Sequence, residues 1–242
     1  MDKMKTIGLI GGMSWESSKM YYEYVNKGVK SELGGSHSAK SIMSSVDFDE
    51  IEKLTFENDW GKIGDLMALH ATKLEMAGAD IILLCTNTIH LVSAAITSAV
   101  EIPFLHIANA TGEALKKANV RKVGLLGTRF TMERDFYTKI LKESYHLEVI
   151  TPGREERQVL HDIIYNELVK GEFKETSKQA ILQIIKDLEK EGIEGIILGC
   201  TELPLLISPG DVSVPTFNTT AIHAQEAVRW ALSNQVRTSF NK

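Results

Sequence analysis

Cysteine is scarce in this sequence, since only two of its 242 residues, Cys85 and Cys200, carry a thiol. So low a number excludes a disulfide-rich secreted scaffold and favours free thiols in a reducing cytoplasm. The first residues run directly into a strand pattern and contain no cleavable apolar segment. We therefore expect a cytoplasmic protein, and we expect no disulfide between the two cysteines.

Long apolar runs and blocks of like charge are also missing. No apolar run approaches the roughly 20 residues that span a bilayer. The 27 basic and 32 acidic residues give a net charge of −5 without a cluster of either sign. Neither a membrane nor a nucleic acid is therefore expected as a partner.

Motifs for cofactors are absent as well. Gly8, Gly11 and Gly12 do not form a G-x-G-x-x-G fingerprint, and no G-x-x-x-x-G-K-[ST] motif occurs. These glycines instead predict a tight turn between a strand and a helix. No lysine stands in a motif suited to a pyridoxal phosphate Schiff base. We expect a protein that works without a cofactor.

Short apolar runs alternate with longer helical patterns, which is typical of βαβ units and parallel sheets. A helix is predicted from about Trp15 to Leu33, with Ser14 as its N-cap and Gly34 after its end. Two more helices have an apolar face, formed by Ile63, Leu66, Met67, His70 and Leu74 in one and by Ile181, Ile184, Ile185 and Leu188 in the other. We expect His70 to be a hydrogen-bonded core residue. Eight strands are predicted, at 7–10, 39–46, 81–84, 102–106, 123–126, 147–150, 195–198 and 214–217.

Three segments of the first half recur in the second half in the same order. TIGLIGGMSW (6–15) matches KVGLLGTRFT (122–131), GADIILLCTNTIHLV (78–92) matches GIEGIILGCTELPLL (192–206), and IPFLHI (102–107) matches VPTFNT (214–219). The second match pairs Cys85 with Cys200. The chain is therefore predicted to contain two copies of one α/β unit, each with a cysteine at the carboxyl end of a strand.

The placement of the cysteines indicates a shared function. Ligands of open parallel sheets bind beyond the carboxyl ends of the strands. If the two units face each other about a pseudo-twofold axis, both thiols approach one cleft from opposite sides. One thiolate could then remove an α-proton while the opposite thiol protonates the other face. A free thiol has a pKa of about 8.5, so one of them needs a lower value, which backbone N–H groups of the following helix could provide.

Small polar residues beside the cysteines could bind the substrate. Thr86, Asn87, Thr88 and Thr201 offer donors for a carboxylate, and Met13 and Ser14 could reach the cleft from the first turn. Other interpretations remain open for the cysteines: each could be an inert, buried small hydrophobe. A metal site formed by Cys85, His90 and Cys200 lacks closely spaced ligands such as C-x₂-C, and no metal is expected.

The segments LLCTNTIH (83–90) and ILGCTELPLL (197–206) resemble the two catalytic motifs of the aspartate/glutamate racemase superfamily, and the resemblance covers essentially the whole chain. GGMSWE near the start and Glu202 after the second Cys-Thr are similar to the aspartate racemase and broad-specificity amino-acid racemase branch. The resemblance implies a cofactor-independent racemase in which Cys85 and Cys200 are the two bases. It also implies substrate contacts from Thr86, Asn87, Thr88, Thr128 and Thr201, and we add Glu202 to this set.

For the fold, the resemblance implies two similar flavodoxin-like α/β domains with parallel sheets, an active site in the cleft between them, and usually a homodimer. The predicted first domain comprises residues 1–105 and 216–242, and the second comprises residues 106–215.

Two residues depart from strict aspartate racemases, which resemble one another in having an arginine after the second strand and a lysine in an ELK-like segment. Glu52 stands at the arginine position and Val169 at the lysine position, with Lys170 one residue later. In that family the resemblance implies that both cations bind the side-chain carboxylate of the substrate. Because both are missing here, the preferred amino acid is left open.

Other activities remain as alternatives. Arylmalonate-type decarboxylases share the scaffold with one catalytic cysteine, and maleate-isomerase-like enzymes use a cysteine as a covalent nucleophile. A non-catalytic small-molecule sensor would need neither cysteine. Proton–deuterium exchange at Cα separates racemases from nucleophilic isomerases and sensors.

Overall fold

A computed structural model describes residues 4–233, which form two α/β units. One unit contains the residues up to Ile107 together with those from His223, and the other runs from Ala108 to Ile222. Each unit has its own parallel sheet, with three strands in the first and four in the second. The predicted fold class of two similar α/β units with parallel sheets is confirmed.

The strands are β1 (Ile7–Gly11), β2 (Ser41–Ser45), β3 (Ile81–Leu84), β4 (Lys122–Gly127), β5 (Glu148–Ile150), β6 (Gly195–Gly199) and β7 (Thr216–Asn218). The α-helices are α1 (Trp15–Leu33), α2 (Phe48–Phe56), α3 (Trp60–Met76), α4 (Ser93–Ala99), α5 (Ile107–Lys117), α6 (Arg129–Glu133), α7 (Asp135–Tyr145), α8 (Arg154–Asn166), α9 (Glu175–Lys190), α10 (Leu203–Leu206) and α11 (Thr219–Leu232). Short 3₁₀ helices lie at Thr88–Val92, Leu168–Lys170 and Pro209–Asp211. Within residues 4–233, no helix is both long and apolar enough to cross a bilayer.

The first sheet has the strand order β2-β1-β3. The strand predicted at 102–106 is wrong, because only Phe104 forms an isolated parallel bridge, with Ile82. The bridge consists of two hydrogen bonds, from the Ile82 N–H to the Pro103 carbonyl (2.9 Å) and from the Leu105 N–H to the Ile82 carbonyl (3.0 Å). Pro103 has no N–H to donate, and α5 begins at Ile107, so the ladder cannot extend.

The second sheet has the order β5-β4-β6-β7. This is the order of the first sheet with β7 in place of the Phe104 bridge, and it agrees with the flavodoxin-like arrangement in which the first strand lies between the second and third. The predicted return of the chain to the first unit at residue 216 is too early, because Thr216 pairs with Ile196 of β6 and the boundary falls at His223. Residues 234–242 of the predicted first domain lie outside the described residues.

Alternation along β3 divides the first unit's core into two clusters, because successive strand residues face opposite sides of a sheet. Ile82 and Leu84 pack with Ile63, Met67 and Leu74, which lie on the predicted apolar face of α3. The opposite face of the sheet packs with buried residues of α1 and α11, namely Tyr21, Val25, Val29, Ala224, Ala227 and Val228. His70 of α3 is half-buried, and its Nδ1 lies 2.7 Å from Ser44 Oγ, in agreement with its predicted hydrogen bonding.

The second unit has one large cluster between β4, β6 and the helices that cover them. The four predicted apolar residues of α9, Ile181, Ile184, Ile185 and Leu188, are all buried in it. The predicted limits of α1 are also confirmed. Ser14 caps α1, and Gly78 and Gly192 follow α3 and α9 with positive φ angles of 92° and 80°.

Candidate active site

Cys85 lies immediately after the last residue of β3, as predicted. Its N–H donates to the carbonyl of Ile10 on β1 (2.9 Å), so the pairing of the two strands continues up to the cysteine. The side chain is fully buried among apolar residues of the first unit. The thiol is free, and so is that of Cys200.

The loop after Cys85 contains Thr86, Asn87 and Thr88, and the last two are buried. Its shape is fixed by His90 of the following 3₁₀ helix, which bonds the loop through both backbone and side chain. The His90 N–H donates to the Asn87 carbonyl (3.1 Å), and the ring Nδ1 lies 2.8 Å from the Thr86 carbonyl oxygen. The predicted substrate-binding residues of this loop are thus held in one defined backbone conformation beside Cys85.

Cys200 occupies the equivalent place after β6, and its surroundings are more polar. Its Sγ donates to Oε2 of Glu202 at 2.9 Å, and the Thr201 hydroxyl donates to the same oxygen at 2.6 Å. Glu202 is only 5% exposed. A buried carboxylate therefore lies in direct contact with the second thiol, whereas the sequence had predicted only a substrate contact for Glu202.

Both thiols have raised pKa values. Burial raises the pKa of the Cys85 thiol above its ordinary value. Burial is also the main cause that raises the pKa of Cys200, and the Glu202 carboxylate raises it further. Backbone N–H groups of Glu202 and Leu203 lower the pKa of Cys200, in the expected direction, but burial and the carboxylate outweigh them. The expected net lowering is therefore not found.

The turns after β1 and β4 are built alike. Ser14 caps α1 by accepting a hydrogen bond from the Ser17 N–H (3.4 Å), and Thr128 caps α6 by accepting from the Thr131 N–H (3.3 Å). Met13 is buried in the core of the first unit. Because Gly127 pairs with Gly199 in the sheet, Thr128 and Cys200 follow neighbouring strand ends.

The first of these turns requires a glycine at position 12. Gly12 has a φ of 98°, and a Cβ built on it would lie 2.2 Å from the carbonyl oxygen of Val46. The Gly12 N–H donates to the Ser18 hydroxyl at 2.7 Å. The turn thus brings the backbone after β1 close to the backbone after β2 at the carboxyl edge of the sheet.

The two residues that replace the cations of strict aspartate racemases, and the neighbouring Lys170, lie in three different settings. Glu52 is half-buried on α2. Val169 lies in the 3₁₀ helix after α8 and packs against the second unit's core. Lys170, the last residue of that 3₁₀ helix, is exposed. Within the described chain, no group of three or more His, Cys, Asp or Glu side chains is placed to hold a metal ion.

Three buried histidines of the first unit were not recognised together from the sequence. The His90 ring lies 4.6 Å from the ring of His106 and 5.8 Å from that of His223. Burial lowers the pKa of His106 to about 4 and that of His223 to about 3. Burial, followed by the two neighbouring histidines, holds the pKa of His90 well below its ordinary value. Nothing in the spacing of residues 90, 106 and 223 could have revealed this cluster.

Comparison with known proteins agrees with this geometry. A family model described as Asp/Glu/Hydantoin racemase matches residues 10–227. The chain belongs to this racemase family. It is 27% identical over 190 residues to the broad specificity amino-acid racemase RacX of Bacillus subtilis (strain 168), which covers 78% of this chain and 76% of RacX.

Two solved structures show the same fold at higher identity. A candidate Asp/Glu racemase from Yersinia pestis is 50% identical, with a TM-score of 0.89, and the match covers 95% of this chain and 100% of that one. An aspartate racemase homologue from Pyrococcus horikoshii OT3 is 40% identical, with a TM-score of 0.80 and the same coverage. Membership of the racemase family, predicted from the two cysteine motifs, is thereby confirmed.

Proposed function

We propose that this protein is a cofactor-independent amino-acid racemase in which Cys85 and Cys200 exchange the proton on Cα. The observation that carries the proposal is the equivalence of the two cysteines. Cys85 follows β3 and Cys200 follows β6, which hold equivalent places in their two parallel sheets. Each cysteine precedes a threonine, and both thiols are free. Since both thiols must stay reduced, the proposal also places the enzyme in a reducing compartment such as the cytoplasm.

In the proposed reaction, one cysteine as the thiolate removes the Cα proton, and the electron pair of the C–H bond passes into the adjacent carboxylate. The other cysteine as the thiol then protonates the opposite face. Hydrogen bonds that strengthen as the carboxylate gains charge would stabilise the intermediate. We assign this role to the donors beside the thiols and at the β4 turn, namely Thr86, Asn87, Thr88, Thr128 and Thr201. The Met13–Ser14 loop completes the proposed substrate contacts.

We assign Glu202 a second role, as the proton acceptor of Cys200. Losing the Cys200 proton to solvent would leave two negative charges side by side in a buried site, which the raised pKa of this thiol reflects. Transfer of the same proton from Sγ to Oε2, 2.9 Å away, leaves the net charge of the pair unchanged. The S–H bond breaks, an O–H bond forms, and the thiolate is produced without a charge entering from outside.

The substrate class that we propose is amino acids in general, without a requirement for a second carboxylate. This rests on the acidic Glu52 and the apolar Val169, which offer no cation to a side-chain carboxylate. The similarity to a broad-specificity racemase supports the same choice. We also propose a homodimer, which light scattering would detect as twice the chain mass of 26.9 kDa.

Deuterium incorporation at Cα tests the proposal. The protein is incubated in D₂O with each common L-amino acid, without cofactor, and both α-deuteration and the D-enantiomer are followed. We expect both to appear together for several amino acids, and a Cys85→Ser, Cys200→Ser double variant to show neither. A nucleophilic isomerase or a sensor would leave every Cα proton unexchanged, which would reject the racemase.

A further inference from the structure

His90 is fully buried, and both of its ring nitrogens are engaged with backbone. Nδ1 lies 2.8 Å from the Thr86 carbonyl oxygen, so it carries a proton and donates it. Nε2 accepts the N–H of Ile107 at 3.2 Å. Only the neutral ring with its proton on Nδ1 makes both bonds, because protonation of Nε2 would turn that acceptor into a second donor.

The backbone segment that His90 contacts at Ile107 is also fixed by hydrogen bonds at Leu105. His223 Nε2 lies 2.8 Å from the Leu105 carbonyl, and the Tyr21 hydroxyl lies 2.8 Å from His223 Nδ1. Leu105 is also tied to β3 by its bond to Ile82. The backbone from Leu105 to Ile107 is therefore a fixed support within the first unit, and His90 transmits its position to Thr86.

We propose that His90 is the positioning residue of Cys85, and that it holds the loop carrying this thiol through its two backbone hydrogen bonds. The inference rests on the proposed function only for its effect on catalysis. Because Thr86 follows Cys85 directly, a shift of its carbonyl would move both the thiol and the adjoining donors Asn87 and Thr88.

The second unit has no histidine at the equivalent position, so substitution of His90 should affect Cys85 and not Cys200. The repeat that aligns the two cysteines places Leu205 at the position of His90. Leu205 is 52% exposed and has no ring nitrogen to offer. Cys200 is instead bound by Glu202. The two cysteines thus act as internal controls for each other.

Two substitutions separate hydrogen bonding from packing. His90→Gln can still donate to Thr86 from its amide nitrogen and accept from Ile107 with its amide oxygen, whereas His90→Leu fills space without either bond. Alkylation of each cysteine by iodoacetamide is followed by peptide mass spectrometry, together with kcat/KM for racemisation. We expect His90→Leu to raise the Cys85 alkylation rate and to lower kcat/KM about 10-fold or more, as misplacement of a reacting group does.

For Cys200 we expect an alkylation rate within about 2-fold of the wild-type value, a change too small to indicate a shifted thiol. His90→Gln should restore both the Cys85 rate and kcat/KM to within a few-fold. If His90→Leu fails to fold, His90→Asn, which is too short to make both bonds, takes its place. Equal changes in alkylation rate at both cysteines would overturn the inference. A folded His90→Gln variant with the same alkylation rate and kcat/KM as His90→Leu would also overturn it. If His90→Leu changes the alkylation rate of Cys85 alone but the wild-type protein racemises no amino acid, His90 still positions Cys85, and the proposed function is rejected instead.

Discussion

The Cys200 thiol donates a hydrogen bond to the Glu202 carboxylate across 2.9 Å. Burial alone raises the pKa of Cys85, whereas burial and the neighbouring Glu202 carboxylate both raise the pKa of Cys200. The two thiols are equivalent in the repeated fold but differ in the group that can take their proton. The proposed racemase should therefore respond differently to changes beside each thiol.

Removing the carboxylate should separate thiol acidity from activity. In Glu202→Gln, the charge that raises the pKa of Cys200 is lost, so this pKa falls and Cys200 is alkylated faster at a given pH below the original pKa. Racemisation should nevertheless fall by about 10²–10⁴-fold, the usual size of a general acid–base contribution. The exposed Glu191→Gln is the matched control and should change neither quantity. Unchanged racemisation by Glu202→Gln would remove this residue from the mechanism.

The protein should show no preference for substrates with a second carboxylate, because it lacks the two cations that would bind one. We expect kcat/KM for asparagine to equal or exceed that for aspartate, because neither Glu52 nor Val169 can attract the second carboxylate. A Glu52→Arg, Val169→Lys variant should raise the aspartate-to-asparagine ratio about 10-fold or more, the effect of one charge-assisted hydrogen bond of roughly 1.5–3 kcal/mol. A wild-type protein that strongly prefers aspartate would contradict the proposed substrate class.

The turn after β1 should not tolerate a side chain at position 12. Gly12→Ala combines a positive φ with a Cβ 2.2 Å from the Val46 carbonyl, and we expect a loss of about 3–5 kcal/mol in the free energy of unfolding. Gly171 also has a positive φ, of 76°, but a Cβ added there would meet no side chain or backbone atom of another segment within 4 Å. Gly171→Ala should therefore cost only about 1–2 kcal/mol. Urea denaturation measures both, and equal losses would show that the contact with Val46 is unimportant.

Acid should destabilise the protein through its buried histidines. The folded-state pKa values of about 4 for His106 and about 3 for His223 lie below the ordinary 6.5 of the unfolded chain. Below about pH 6.5 the unfolded chain binds protons that the native rings do not, so the free energy of unfolding falls as pH falls. Each histidine contributes up to about 1.4 kcal/mol per pH unit, until its folded pKa is reached.

Substituting one of these rings tests the assignment. His223→Gln should reduce the slope of unfolding free energy against pH, between about pH 6 and pH 4, by roughly the contribution of one histidine. The same slope in His223→Gln and the wild type would show that His223 is not the buried neutral group described.

Local sequence patterns predicted those features that depend on neighbours in the chain. The limits of α1, its Ser14 cap and the placement of Cys85 and Cys200 after apolar strands follow from periodicity, capping residues and the internal repeat. The strand at 102–106 was not correctly predicted, because an apolar run around a proline can supply side chains to a sheet without supplying its hydrogen bonds.

Contacts between distant residues could not be predicted. Tyr21 and His223 are 202 positions apart, and their hydrogen bond depends on the packing of α1 against α11. The Cys200–Glu202 bond is local in sequence, but it depends on the side-chain conformation that burial imposes on the glutamate. The sequence therefore indicated the residues that we propose to carry the chemistry, and the structure showed which groups contact them.

Elimination from a β-chloro amino acid tests the two-thiol mechanism most directly. In the proposed mechanism each enantiomer presents its Cα proton to only one cysteine. A single variant could then still deprotonate one enantiomer and expel chloride, although serine at the other position is too weak an acid to complete racemisation. We predict that Cys85→Ser and Cys200→Ser release chloride from opposite enantiomers and that neither variant racemises its substrate. Near-normal racemisation by both variants, or chloride release from the same enantiomer by both, would contradict the assignment of Cys85 and Cys200 as opposed bases.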